Sequence, residues 1–473
     1  MKNPIPLKTI TENTVFRKGD VFVLFGELFG RGYATGLVEQ ARKAGLRIVG
    51  ITVGRRDENN CLRPLTAEEL SEAEQRLGGE IINIPLMAGF DLDAPEGGPT
   101  PTDLLAGMTL ESWEREKLDW AYIEQCQAVA TTRFKDALAQ VMSVLDGMIP
   151  EGRNVFFAHT MAGGIPKAKV FLVVANRIYK GTGARHMSSQ ALLDSDMGKL
   201  ILRNFDEVSA ITFQHLIDAS AAIRQRTEAS GGQIRYTAYG YHGTGILIGG
   251  EYRWQTYTNY TQGYAKMRLE GIAENAWAKG IKATVYNCPE IRTNSSDVFT
   301  GIELPLIPLL LALKKENGGQ WADEQWRACK ALLQDGFTLE DVIRKIGDLQ
   351  ANEAMVPFYD FSAWPMPNSQ PQADLTIGTS IEITAMHRSG KLLISDLLST
   401  FVVEATGELI FGASSSPVGP VQWLNHDVVA RRLNASHDAS NTISLPTAEQ
   451  GSASHEIATP DMVPTQAQRS LVQ

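Results

Sequence analysis

The sequence predicts an α/β protein built on a doubly wound parallel sheet of the Rossmann type, with a small C-terminal antiparallel β appendage. Short apolar, strand-like runs recur at Val21–Phe25, Leu46–Val53, Glu80–Leu86, Asn154–Ala158, from Ile234, and at Ile281–Tyr286, with helical patterns between them. Strands alternating with helices pack as parallel βαβ units. The first run ends in a glycine-rich turn that leads straight into a helix, the arrangement in which such sheets hold a nucleotide phosphate. From Leu375 to Ala413 the pattern shifts toward two-residue alternation, with turn signals at Arg388-Ser-Gly390 and Ala405-Thr-Gly407, which predicts the appendage.

Composition narrows the function. A net charge of −10 without any basic block argues against nucleic acid and anionic membranes as partners. The four cysteines, Cys61, Cys126, Cys288 and Cys329, are far apart, and no two of the eight histidines sit at metal-ligand spacing, so neither a disulfide framework nor a metal site is expected. The first twenty residues lack the apolar core of a signal peptide. The longest apolar run, Leu304–Leu313, contains Pro305 and Pro308 and is too short to span a bilayer. These features predict a soluble, cytoplasmic protein.

Taken in order, the first strand runs into Gly26-Glu-Leu-Phe-Gly30-Arg-Gly32, a G-x-x-x-G-x-G turn. Glycines here permit a tight turn, close approach of backbone to a pyrophosphate, and close helix–strand packing. The second strand ends in Gly54-Arg55-Arg56, where an acidic residue would bind ribose hydroxyls and arginine suits a 2′-phosphate. The two arginines lean toward NADPH, with NADH possible; the alternative is a solvated basic turn. Thr66-Ala-Glu-Glu69 is a capping box opening a helix. The Gly/Pro/Asp loop at 88–102 carries Asp91, a candidate contact near the adenine. The fourth strand leads to His159-Thr-Met-Ala-Gly163-Gly164, where a lone histidine is more often structural than catalytic.

The stretch from Ile234 to Thr293 concentrates the chemistry. It places tyrosines after a strand, then a helix carrying Lys266, then another strand. A phenol can polarise a substrate oxygen while a lysine binds the nicotinamide ribose. Tyr257, Tyr260 and Tyr264 precede Lys266 by nine, six and two residues, and Gln262 occupies the position one helical turn before it. Helical phase does not choose among these tyrosines.

Tyr257 and Lys266, with eight residues between them, and Tyr239-Gly-Tyr241-His-Gly243 resemble the catalytic stretch of the FabV-type trans-2-enoyl-ACP/enoyl-CoA reductases of the short-chain dehydrogenase/reductase superfamily. Thr293-Asn-Ser-Ser-Asp-Val-Phe and Leu304-Pro-Leu-Ile-Pro-Leu-Leu-Leu are similar to that family's Ser-rich loop and Pro-broken helix. Gly54 in place of the family's acidic residue, a longer connection between Tyr241 and Tyr257, and an unlike C-terminal segment suit a diverged, FabMG-like branch. The resemblance implies reduction of the 2,3 double bond of an enoyl thioester, carried on ACP or CoA, by NAD(P)H. It implies Tyr257 and Tyr241 as the polarising phenols, Lys266 on the ribose, Thr293 beside the nicotinamide, and Leu304–Leu313 along the acyl chain, where a plain core helix is the alternative.

The expected organisation is a dinucleotide-binding and catalytic α/β domain over 1–356, a connector and β appendage over 357–432, and a disordered tail over 433–473. The appendage would cap the site or mediate homo-oligomerisation. Two rivals remain at this point: a carbonyl reductase of the same superfamily, and a non-catalytic dinucleotide-binding scaffold.

Overall fold

The computed structural model describes residues 4–11, 14–255, 262–293, 300–364 and 366–442. Seven strands form one parallel sheet: β1 (Val21–Phe25), β2 (Arg47–Ile51), β3 (Glu80–Ile82), β4 (Val155–His159), β5 (Ile234–Tyr239), β6 (Ala283–Asn287) and β7 (Val421–Trp423). Their spatial order is β3-β2-β1-β4-β5-β6-β7. The order reverses between β1 and β4, paired from Val21↔Val155 to Phe25↔His159, so their carboxyl ends open the crevice where such sheets bind ligands.

Every residue of β1, β4 and β6 is buried. Helices cover both faces, so these strands are continuously apolar rather than alternating. Val21, Val23 and Phe25 join one core, while Phe22 and Leu24 face the opposite one, as a period of two requires. Around the sheet lie α1 (Ala34–Lys43), α2 (Trp120–Met148), α3 (Asp196–Asp206), α4 (Gln262–Ala278), α5 (Ile394–Ser415) and α6 (His426–Thr442), among further helices. A π-turn, Glu207–Ile211, follows α3 beside the crevice; such turns often mark functional sites.

The C-terminal region departs from the expected appendage. Leu375–Ala413 lies largely in two helices, Gln370–Ala385 and α5, while the two-stranded antiparallel ribbons sit at Arg55–Arg63 and Thr244–Gln255. In α5 the buried residues Ile394, Leu398, Val402, Ala405 and Leu409 recur every three or four positions. β-branched and apolar residues on its other faces hide that period. Gly407, which reads as a turn residue, is mid-helix because α1 crosses there. A Cβ on Gly407 would lie 2.3 Å from the Gly36 carbonyl carbon.

Residues of α5 and α6 join the same buried core as Phe16, Leu24 and Leu37, and β7 completes the sheet. The region beyond 357 therefore shares the core and the sheet of the preceding residues. α5 is long and apolar enough to cross a membrane, but 67% of its most apolar window is buried inside the protein, as in a core helix. α6 continues to Thr442, and the rest of the expected tail lies outside the described residues. Leu304, Leu306, Ile307, Leu309 and Leu310 are all buried in the core, in two short helices divided around Pro308.

Candidate active site

The glycine turn begins with a backbone constraint. Gly26 has φ +131°, outside the range of L side chains, and a Cβ there would fall 2.5 Å from Thr160 Oγ1. The exits of β1 and β4 are thus pressed together at the crevice. Gly30 and Gly32 face open space, with nothing within 4 Å of where a Cβ would stand. The glycine that lets α1 pack closely is Gly36, whose Cβ would meet the Val403 carbonyl oxygen at 2.0 Å.

The candidate adenosine end is rich in ion pairs. Arg55 forms a bidentate pair with Glu27, at 2.7 and 3.0 Å. Arg56 donates to the Asn60 carbonyl and, at 3.3 Å, to Asp93, which Arg133 also holds. Both arginines already have carboxylate partners, and Glu27 brings an acidic group back to the edge where Gly54 stands. Asp91 is half-buried and accepts from Asn204 Nδ2 at 3.1 Å; burial, first, pushes its carboxyl above the usual range.

At the other end Lys266, buried on α4, donates from Nζ to the Tyr239 carbonyl at 2.9 Å, and burial lowers its pKa to about 8. Its charge also reaches His159. That imidazole is buried and within 2.8 Å of Thr212 Oγ1, which donates to the Val208 carbonyl; His159 Nε2 therefore carries the hydrogen in this network. Burial, then Lys266, holds His159 well below its ordinary pKa, so it stays neutral.

Tyr241 follows β5 and lies against the first turn of α4, its ring 3.7 Å from where a Gly263 Cβ would stand. Burial raises the Glu290 carboxyl, in the loop after β6, to about 8, and the Tyr241 phenol opposes that shift. Residues on either side of Tyr241 pin the turn. Gly240 N donates to the Tyr286 carbonyl at 2.8 Å, and His242 N donates to Asn287 Oδ1 at 2.6 Å. The His242 ring stacks on Trp364 at 4.0 Å and Phe361 at 4.4 Å, with Nδ1 3.0 Å from Glu270, which also accepts from Asn287. Tyr33, at the start of α1, stacks on Tyr239 at 5.5 Å and donates to the Pro289 carbonyl at 2.6 Å. The Tyr239 hydroxyl is buried without a hydrogen-bond partner among the described residues.

The fold thus places Gly26 after β1, Arg55 and Arg56 after β2, Asp91 after β3, Tyr241 after β5 with Lys266 held to its strand end, and Thr293 six residues past β6. Tyr257 and Tyr260 lie outside the described residues. Sequence reasoning missed Tyr33, Glu290 and the His242–Glu270–Asn287 network. Position was the available signal: Tyr33 opens the helix after the glycine turn, and Glu290 follows a strand end.

A doubly wound sheet with a constrained glycine turn at its switch point has the architecture of a dinucleotide-binding enzyme. The family model described as "Enoyl-acyl carrier protein reductase FabMG" matches residues 3–433, and this chain belongs to that family. It is an oxidoreductase of fatty acid synthesis that acts on the carbon–carbon double bond of an enoyl thioester. The chain is similar to an apo FabMG structure, 68% identical over 93% of this chain and all of that one, with a TM-score of 0.91. It is also similar to an NADH-bound FabMG structure, 58% identical over 92% of this chain and all of that one, with a TM-score of 0.76. No curated protein matches the chain.

Proposed function

We propose that the chain reduces trans-2-enoyl groups carried on acyl carrier protein, with NADH as the donor, NADPH as an alternative, and CoA thioesters as surrogate substrates. The NADH-bound relative supports the choice of donor. The site fits a dinucleotide: Gly26 holds a turn that any side chain would fill, Gly30 and Gly32 face open space, and a buried lysine stands at the far end. The observation that carries the reading is Lys266, fixed on the carbonyl of Tyr239 two residues before Tyr241.

The bound dinucleotide supplies the hydride that adds to C3 of the enoyl thioester. Negative charge then develops on the thioester oxygen, and a proton added at C2 completes the saturated product. Tyr241 and Tyr257 donate hydrogen bonds to that oxygen, each worth ~3 kcal/mol when pre-aimed. Lys266 would hold the ribose hydroxyls, and the 26–32 turn and the start of α1 the pyrophosphate. Asp91, Arg55 and Arg56 would face the adenosine half, and Thr293 the nicotinamide end. A substrate carried on an acyl carrier protein supports a cytoplasmic location for the enzyme.

The test follows oxidation of NADH and NADPH with crotonyl-CoA and crotonyl-ACP, using wild type, Tyr257→Phe, Tyr260→Phe and Tyr241→Phe. Loss of about 100-fold in kcat with Tyr257→Phe but not Tyr260→Phe is expected. Loss with Tyr260→Phe alone would keep the chemistry and overturn the eight-residue spacing. No turnover of enoyl thioesters by folded wild type, with turnover of ketones, would overturn the substrate class.

A further inference from the structure

Two loops at the carboxyl edge of the sheet meet at one buried side chain, Asn204, that takes no part in the chemistry described above. The loops after β3 and after β4 leave the sheet three strand positions apart, with β2 and β1 between them. At a strand spacing of ~4.8 Å their origins lie about 14 Å apart. Both turn in to Asn204, which is fully buried two residues before the end of α3. In the loop after β3, Phe90 N donates to Asn204 Oδ1 at 2.8 Å, and Asp91 Oδ1 accepts from Nδ2 at 3.1 Å. In the loop after β4, the Gly164 carbonyl accepts from the same Nδ2 at 2.9 Å.

The amide is spent on these bonds. A carboxamide has two N–H hydrogens, and here one goes to each loop. Fully buried, it cannot touch a ligand, so whatever it does for the site it does through the loops. The backbone is shaped to match. Gly89 and Gly164 have φ of +94° and +103°, where glycine is favoured. A Cβ on Gly89 would stand 3.1 Å from Asn204 Oδ1, and one on Gly164 would stand 2.9 Å from the Asn204 carbonyl oxygen. Each loop thus presses bare backbone onto Asn204 where a side chain would hold it off. Other ties steady the loops from outside. Arg133 on α2 donates to the Met87 carbonyl at 2.7 Å, and Ser209 in the π-turn accepts from Gly163 N at 3.3 Å. Asn204 is bonded to both loops at once.

We propose that Asn204 is a positioning residue for the adenosine half of the cofactor: it ties the loop after β3 to the loop after β4 and so fixes the walls that flank the ends of β1 and β2. Its loss loosens the grip on adenosine and leaves the reacting atoms in place. The proposal rests on the placement of the adenosine half by Asp91, Arg55 and Arg56.

The experiment compares wild type, Asn204→Asp and Gly89→Ala. NADH binding is followed by fluorescence titration. Initial rates with crotonyl-CoA then use NADH or reduced nicotinamide mononucleotide, a donor without the adenosine half. Asn204→Asp keeps the acceptor for Phe90 N but sets a second carboxylate against Asp91 and an acceptor against the Gly164 carbonyl. It should weaken NADH binding and raise KM for NADH by about 10-fold, with kcat and KM for crotonyl-CoA within about 2-fold of wild type. Its kcat/KM with the mononucleotide should match wild type. A residue that only supports the fold would lower kcat/KM for both donors by the same factor, and that result overturns the proposal, as does NADH binding at wild-type strength. Equal kcat/KM for the two donors in wild type would overturn the placement of the adenosine, and the proposal with it. Wild type that binds NADH without turning over crotonyl-CoA overturns the substrate class alone, and the titration still decides Asn204. Gly89→Ala pushes on the same contact from the loop side and should weaken NADH binding in the same direction; if Asn204→Asp does not fold, Gly89→Ala decides.

Discussion

The crossing of α1 and α5 gives a sharp prediction for Gly407→Ala. Added to a helix interior, alanine in place of glycine is worth about 1 kcal/mol of stability from propensity alone. Here the new methyl would sit 2.3 Å from the Gly36 carbonyl carbon, 2.5 Å from its oxygen and 2.7 Å from its Cα. These are backbone atoms, so no rotamer change relieves the contact. The helices must part by at least about 1 Å, and a gap of that size forfeits a quarter to a half of each contact's dispersion energy along the crossing. Overpacking of this kind costs about 1–3 kcal/mol, and the rigid partner puts this case at the upper end. After the propensity gain, the net expectation is a loss of about 2 kcal/mol. Gly378→Ala is the control: it also sits within a helix, Gln370–Ala385, but nothing lies within 4 Å of its new methyl, so it should gain up to about 1 kcal/mol. Urea unfolding of both variants tests the pair, and NADH titration should show weaker binding by Gly407→Ala, since α1 begins beside the glycine turn. A Gly407→Ala protein as stable as wild type, or more so, would refute the argument from the crossing.

Lys266→Met should abolish activity and yet stabilise the protein. Burial lowers this lysine from 10.5 to about 8, so folding bears a penalty on the order of 3 kcal/mol at pH 7. Between pH 8 and 10.5 the unfolded chain keeps a proton that the folded one has shed, so wild-type stability should rise with pH there, while the Met variant lacks this contribution; an equal pH slope in both would remove the argument. Glu27→Gln should release Arg55 and raise kcat/KM for NADPH relative to NADH by about 10-fold, read from initial rates, and an unchanged ratio would separate this pair from the adenosine end. His242→Ala should cost about 3 kcal/mol by emptying the stack between Phe361 and Trp364 and removing one partner of Glu270. His242→Phe should recover the stacking part of both stability and kcat, and a variant no better than Ala would show that stacking is not the source.

Six of the seven sheet strands are legible in the sequence, most plainly β1, β4 and β6, since strands covered on both faces carry mostly apolar runs. β7 is not: three residues, Val421–Trp423, carry no period, and only pairing with β6 makes them a strand. The C-terminal helices were hidden by residues apolar on several faces, and Gly407 reads as a turn until Gly36 is placed against it. Lys266 lies near a helix start and Tyr241 just past a strand end, positions that mark the ligand edge of such a sheet, but only the family resemblance singles out Tyr241. Glu290 was not legible, since only the β5–β6 pairing brings its loop beside that of Tyr241. His242 and Glu270 are 28 residues apart and belong to different elements. Arg55 and Arg56 read as phosphate ligands in isolation; their pairing with Glu27 and Asp93 depends on the folding of two other segments.

The outer border of the sheet is sealed by the two ends of the described chain. Leu7 N donates to the Trp423 carbonyl at 2.8 Å, and Trp423 N donates to the Ile5 carbonyl at 3.3 Å. Residues 5–7 are made early and find their partner only after some four hundred more have been added, roughly 20–80 s later at ordinary synthesis rates. From the synthesis of β6 until β7 is made, roughly 7–27 s at the same rates, β6 is a bare strand border, a surface that invites association with other chains. Nascent protein should therefore depend on chaperones until β7 emerges. Chains halted between β6 and β7 should aggregate, whereas those halted after α6 should not.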